Sequence, residues 1–458
     1  MTPEPLPPNL PTLPMKELIG STYNTSDLIS RLYLEAEYLF RNRKPFRVEG
    51  IPTPPLSEVI HDEKYFAVRQ FLSETEDRNS SERHLILANE YPSHRNQYAN
   101  GFVHRRVELY REAGLEVDVL AFGKRVRKEV YSYRGIPVLS GYYDELLGLL
   151  ATRKYKSINV HFLNSEMWNG LLLNIPKECR VNLFIHGYEV RNWSRLPYEI
   201  AARENIDAQI ERSLRTRDIW STLVDENSPI SNFVFVSEWW KQAVGEDLRL
   251  VFPEERSHVI HNVIDTALFS YQPKSPDQRH NLLWVRNARA WNYGADLAAE
   301  LLGRLKQSFY WNQLKVTLVG DGKYFHYFDQ FKDDPNVTII NGYISQQQIA
   351  DLHKSHGIFL VPSRFDTQGV SRDEAMSSGL VPVTCPVAAV TEFVDESCAI
   401  LGTEDNLDAW AAELEEVILD PAKFSKLSSN AAQRVRSLST SEHTIDREIQ
   451  LMMGPNNE

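Results

Sequence analysis

From residue 83 onward, short apolar runs recur along the chain, each followed by a stretch with helical spacing. His84-Leu-Ile-Leu-Ala88, Val117 to Phe122, Ser157 to Phe162, Val181 to Ile185 and Phe233 to Val236 predict buried strands. A helix is predicted over Phe102 to Ala113, ending near Gly114. After the segment Val259-Ile-His-Asn-Val-Ile-Asp265 a second series begins. Its strands fit Leu282 to Val285, Lys315 to Val319, Val337 to Ile340, Ile358 to Val361 and Val381 to Thr384. Helices are expected between them, and Leu407 to Arg436 reads as mostly helical. Alternating strand and helix predicts parallel sheets covered by helices. Two such units in tandem leave a crevice at the carboxyl ends of their strands, where ligands bind.

Residues 1–80 follow another pattern. The start is rich in proline and predicted to be extended. A helix capped by Ser26 or Asp27 is expected next, with Leu28, Leu32, Ala36 and Leu39 as its apolar stripe. A second helix is expected from Leu56 to Leu72, and Glu74 to Arg83 reads as a linker. Two helices alone bury little surface, so they should pack on the main body, on another copy or on a partner. The expected division is therefore an extension over 1–80, a first Rossmann-like domain over 81–265 and a second over 266–437. A last helix over 438–458 is expected to rejoin the first domain.

Composition narrows the function classes. The chain has 458 residues, 42% hydrophobic and 24% charged, as globular proteins do. Its formal net charge of −12 argues against nucleic acid as a partner. Three well-separated cysteines, Cys179, Cys385 and Cys398, fit a reducing cytosol rather than a disulfide framework. No targeting segment is visible, and the longest apolar stretch, Gly379 to Val390, is broken by Pro382 and Pro386. Any membrane contact is therefore expected to be peripheral.

Candidate chemistry concentrates in Pro362-Ser-Arg-Phe-Asp-Thr-Gln-Gly-Val-Ser-Arg-Asp-Glu-Ala-Met-Ser-Ser-Gly379. A buried strand leads into a glycine-containing loop, and a helix is expected to open near Ser371. The free N–H groups of its first turn and its dipole suit an anion of phosphate size. Asp366 lies before the loop and Glu374 is expected in the first helical turn, so that two carboxylates flank one bound anion. Two plainer readings compete: Ser371-Arg-Asp-Glu374 also matches a capping box, and Asp366 an ordinary turn residue.

This segment resembles the signature of retaining glycosyltransferases of family four, on the GT-B fold. The resemblance rests on Pro362-Ser, Asp366, Gly369, Glu374-Ala-Met, Gly379, Pro382-Val and Glu392-Phe-Val. Other matches fall in order: Tyr91-Pro-Ser, Asn100-Gly101-Phe102, Val236-Ser-Glu, Ile260 to Asp265, and Val319-Gly-Asp-Gly322. It covers about Arg83 to Met452. It implies two Rossmann-like domains, the first for acceptor and the second for donor, facing a crevice.

By resemblance, Glu374 would bind the ribose hydroxyls of a nucleotide-sugar and Asp366 would face the transferred sugar. Backbone N–H groups of Gly369, Val370 and Ser371 would hold the diphosphate. Arg286 matches one member of the family's basic pair, Asn292 stands where a lysine is expected, and Arg289 is the candidate second charge. Gly101 would border the donor. His186, at the end of a strand and before Gly187, is the first domain's catalytic candidate; His161, at another strand end, is set aside.

The leading reading is a retaining, metal-independent glycosyltransferase without a cofactor. It would move a sugar from a nucleotide-sugar to a hydroxyl of a glycan or lipid-linked acceptor, in cell-surface polysaccharide or glycoconjugate synthesis. The alternatives are a catalytically degenerate partner subunit and another GT-B enzyme such as a nucleotide-sugar epimerase. The basic runs His104 to Arg111 and Lys124 to Lys128 read either as a solvated face or as a dock for anionic membrane. Localisation is expected to be cytoplasmic, with peripheral contact at the inner face of the membrane under the second reading. Residues 1–80 are a candidate oligomer or partner contact.

Overall fold

The computed structural model describes residues 35–36, 38–39, 48–75, 83–97, 99–195 and 203–454. The expected apolar start of the first helix, and most of the expected linker, lie outside these residues.

Fourteen strands form two sheets among the described residues. The first holds β1 (His84–Ala88), β2 (Val117–Phe122), β3 (Glu129–Tyr133), β4 (Ile136–Gly141), β5 (Ser157–His161), β6 (Arg180–Ile185), β7 (Ile230–Phe235) and β8 (Ser257–Val259). The second holds β9 (Asn281–Val285), β10 (Lys315–Gly320), β11 (Val337–Asn341), β12 (Ile358–Leu360), β13 (Val381–Thr384) and β14 (Ile400–Leu401).

Their spatial orders are β3-β4-β2-β1-β5-β6-β7-β8 and β11-β10-β9-β12-β13-β14. The second is the doubly wound order 3-2-1-4-5-6, which reverses between β9 and β12. The first reverses between β1 and β5. All pairings are parallel except β3 with β4. This hairpin was not expected from the sequence. Its turn, Arg134-Gly135, carries two left-handed residues, and β3 is an edge strand with little buried surface to mark it.

The N-terminal described helices are α1 (Leu56–His61) and α2 (Phe66–Glu74). The single helix expected there is broken because Asp62 leaves helical geometry and caps a short 3-10 turn with its side chain. Around the first sheet follow α3 (Gly101–Glu112), α4 (Tyr143–Thr152), α5 (Ser165–Leu171), α6 (Arg203–Leu223) and α7 (Glu238–Leu248). Around the second lie α8 (Ala295–Leu305), α9 (Gln346–Ser355), α10 (Val370–Ser377), α11 (Val390–Phe393), α12 (Leu407–Leu419) and α13 (Pro421–Arg436). The last helix, α14 (Ser441–Met453), returns to pack on α3, β5 and β6.

Both faces of each sheet are covered, so the central strands are buried and mainly apolar, and the asparagines of β5, β6 and β7 pair with one another. On the expected stripe of the first helix, Ala36 and Leu39 face outward, while Glu35 and Tyr38 are buried. Glu35 turns inward because it pairs with Arg249 and accepts from Asn192 and Trp193.

The basic run on α3 is not a patch. His104 is buried against the Tyr91 hydroxyl, at 2.7 Å. Arg106 is buried between Glu448 of α14 and Asn262. Charge at Lys124, Arg125, Arg127 and Lys128 is exposed, with Lys128 paired to Asp144. No helix among the described residues is long and apolar enough to cross a membrane.

Candidate active site

The reversal of the second sheet fixes where its chemistry gathers. Strand β9 ends at Val285 and delivers Arg286; its neighbour β12 ends at Leu360 and delivers the loop that carries Ser363 and Asp366. Arg286 is largely buried over the Tyr293 ring, 4.5 Å from its centroid. It donates to the Ser363 hydroxyl at 2.5 Å and to the Asp366 carboxylate at 3.3 Å. The pair joins two strand ends that only the doubly wound order makes adjacent.

Helix α10 follows the same loop. It opens at Val370, a residue earlier than expected, because Gly369 takes a left-handed φ of 101° as N-cap. The capping-box reading fails here. Glu374 lies in the second turn and does not return to the Ser371 N–H, and the buried Ser371 hydroxyl has no partner among the described residues. The first helical bond runs from Asp373 N–H to Gly369 C=O. The N–H groups of Gly369, Val370, Ser371 and Arg372 therefore have no backbone acceptor among the described residues, the arrangement that binds anions.

Glu374 is half-buried; Ser378 donates to its backbone carbonyl, and no described group donates a hydrogen bond to its carboxylate. Burial, with the Asp373 and Asp265 carboxyls nearby, pushes its carboxyl up to about 8. The adjacent Asp373 is held by Arg372 and Gln368 instead. Gln368 is fully buried and also accepts from the backbone and side-chain amides of Asn262, at 2.6 and 2.8 Å.

Further bonds tie this loop and helix α11 to the first domain. The Thr367 hydroxyl donates to the His186 carbonyl at 2.7 Å, and the Ser237 hydroxyl to the Thr367 carbonyl at 2.8 Å. The Glu392 carboxylate caps α7 through the N–H groups of Glu238 and Trp239. So the motif residues Ser237, Glu238 and Glu392 hold the two domains together.

On the first domain, His186 leaves the end of β6 and is buried. Its Nε2 lies 2.9 Å from Nδ1 of His161, at the end of β5, and their rings stack. Sequence reasoning set His161 aside. Its signal was present: both histidines stand where parallel neighbours meet the same crevice. Burial holds both imidazoles well below the usual histidine range, so both are neutral. Phe162, next along, has a φ of 61°, costly for a bulky residue. Its ring packs on His186 and stacks on Tyr188.

Beside them opens a cavity of about 510 Å³, lined among others by Phe162, Tyr188, Glu189, Arg212, Arg215 and Trp220. Burial pushes the Glu189 carboxyl up to about 7, although it accepts from the N–H groups of His186 and Gly187.

The other expected residues separate into two groups. Gly101 opens α3 with clear space around it, and its neighbour Phe102 packs on the His186 ring. Arg289 is exposed and pairs with Asp321 at 2.7 Å, so it does not join the Arg286–Asp366 pair. Asn292 offers its carbonyl to the Arg364 N–H and its amide to the Phe365 carbonyl. Among the described residues, no three His, Cys, Asp or Glu side chains are grouped to hold a metal ion.

The chain is similar to solved structures over most of its length. Sucrose-phosphate synthase from Thermosynechococcus elongatus superposes with a TM-score of 0.59 at 15% identity, covering 81% of this chain and 98% of that one. An α,α-trehalose-phosphate synthase (UDP-forming) from Burkholderia vietnamiensis gives 0.59 at 9% identity, covering 82% and 97%. WaaG, a glycosyltransferase involved in lipopolysaccharide biosynthesis, gives 0.55 at 14% identity, covering 81% and 100%. The fold is GT-B. Within it, residues 279–420, most of the second domain, match the family model described as Glycosyl transferases group 1. That match, on this GT-B chain, supports a glycosyltransferase. No curated protein matches the sequence.

Proposed function

We propose that the chain is a retaining, metal-independent glycosyltransferase that uses a nucleotide-sugar. The observation that carries this reading is the meeting of Arg286, Asp366 and the open N-terminus of α10 at the reversal of the second sheet. The diphosphate would lie on the N–H groups of Gly369, Val370 and Ser371 with Arg286 beside it. Glu374, unpartnered, would take the ribose hydroxyls, and Asp366 would face the transferred sugar. As the bond from the anomeric carbon to the diphosphate breaks, the acceptor hydroxyl attacks from the same face and passes its proton to the departing diphosphate oxygen. Donors already fixed where charge develops supply the largest catalytic term. Arg286 and the helix N-terminus supply it here, while Arg289, paired to Asp321, is a secondary contributor.

The acceptor would enter the cavity beside His186, whose volume suits a small ligand. A role in cell-surface polysaccharide or glycoconjugate synthesis fits such an acceptor site, and the exposed basic run Lys124 to Lys128 would bring the enzyme to an anionic inner membrane face. Asn292 favours the second reading, a degenerate partner subunit, because it leaves one of the expected cations missing.

A panel of UDP-, GDP-, ADP- and dTDP-sugars tests the reading by thermal stabilisation of wild type and Glu374→Ala. Ligand at about a hundred times its dissociation constant adds roughly 2.7 kcal/mol, a clear melting shift. A shift with one donor, lost in the variant and unchanged by EDTA, is expected. No shift with any donor would favour the partner subunit.

A further inference from the structure

The histidine pair carries a consequence for proton placement. His161 Nδ1 and His186 Nε2 share one hydrogen bond at 2.9 Å, so one nitrogen donates and the other accepts. The remaining nitrogens, His161 Nε2 and His186 Nδ1, are buried without partners among the described residues. So is Nη2 of Arg106. Arg106 and His161 both lie against the Phe184 ring, at 5.9 and 4.4 Å between centres. A guanidinium only donates and stays charged. The Arg106 charge acts on His161, and a nearby guanidinium favours a ring lone pair over an N–H on the unpartnered nitrogen.

We propose that His161 is a positioning residue: biased by Arg106, it carries its proton on Nδ1, donates to His186 Nε2, and so fixes the His186 proton on Nδ1. His186 then presents an N–H donor, not a base. A buried donor without a partner costs about 1–3 kcal/mol, and a substrate oxygen recovers that cost. Thr367 bonds the His186 carbonyl to the loop bearing Asp366, so the oxygen belongs to the transferred sugar. This last step rests on the reading above; the proton placement does not.

Long-range ¹⁵N–¹H spectra of histidine-labelled full-length protein read each tautomer directly. Wild type is expected to show both His161 and His186 protonated on Nδ1. His161→Phe keeps the stack on Phe184 but removes the donor. It should shift the His186 tautomer ratio about tenfold toward Nε2–H, the equivalent of one net hydrogen bond. It should also weaken the nucleotide-sugar found by the panel about tenfold, while the matching nucleoside diphosphate binds unchanged. A proton on His186 Nε2 in wild type overturns the inference even if the variant does not fold. So does a His161→Phe protein whose His186 tautomer is unchanged. If no nucleotide binds wild type, the donor-site reading fails while the spectra still decide the proton.

Discussion

Arg286 and Asp366, eighty residues apart in the chain, meet at 3.3 Å across the reversal of the second sheet. Each limits the other before substrate arrives: the guanidinium is aimed by the carboxylate, and the carboxylate keeps a charged partner in a largely buried place. Under the proposed function they separate in role. Arg286→Ala should weaken nucleoside diphosphate binding by about 1.5–3 kcal/mol, the worth of a charged hydrogen bond. Asp366→Ala should leave that affinity within about twofold and lower turnover about a hundredfold or more. Calorimetry with the diphosphate and initial rates with the donor separate the two; equal effects on affinity would place both residues on the phosphates.

Glu374 predicts a dependence on pH. Its folded value of about 8 lies above its ordinary 4.5, so ionising it in the folded protein costs stability. That cost is absent below about pH 4.5, grows as pH rises, and is complete above about pH 8. Glu374→Gln removes it. The variant should gain on wild type between pH 5 and 8 by at most about 1.4 kcal/mol per unit in the absence of ligand. With the donor added, the variant should lose the stabilisation that the donor gives wild type. Chemical denaturation at several pH values checks this; a constant difference would mean that Glu374 ionises normally.

Gln368 joins Asn262, in the segment that follows β8, to Asp373 of α10, with every partner buried. Gln368→Leu fills similar space but strands the Asn262 backbone and side-chain N–H groups, the Asn262 carbonyl and one Asp373 oxygen. Each buried unsatisfied group costs about 1–3 kcal/mol. The unfolding free energy should fall accordingly, by about 3 kcal/mol or more. A loss below about 0.5 kcal/mol, the size of an ordinary surface change, would show that water replaces the amide.

Strands β1, β2, β9, β10 and β13 were legible because most of their side chains are buried and their runs are mainly apolar. The β3–β4 hairpin was not, since an edge strand with one exposed face carries a weak signal. At the site, the loop from Pro362 and the helix behind it could be read from their residues and from a family resemblance. The start of that helix slipped by one residue because Gly369, and not a side chain, is its cap. Pairings across long separations escaped sequence reasoning: Glu392 on α7, Gln368 on Asn262 and His161 on His186. Each looks local and ordinary in the chain, and gains its meaning only when parallel strands bring the ends together. His104 and Arg106 show the converse, as a charged run that folding buries.

Two glycines separate shape from contact. Gly294 caps α8 at a φ of 61°, and a Cβ there would overlap the Pro362 carbonyl of the loop that carries Asp366. Gly294→Ala must pay about 1–2 kcal/mol for the left-handed backbone and push that loop aside. It should lose both stability and turnover. Gly101 has no such constraint, since a Cβ there meets nothing within 4 Å. Gly101→Ala should leave the melting temperature unchanged or slightly raised, as alanine favours a helix. If the donor approaches the start of α3 as proposed, the added methyl meets the ligand, and donor affinity drops about tenfold or more at constant stability. Unchanged affinity in a stable Gly101→Ala protein would move the donor away from α3 and leave Gly101 a simple helix start.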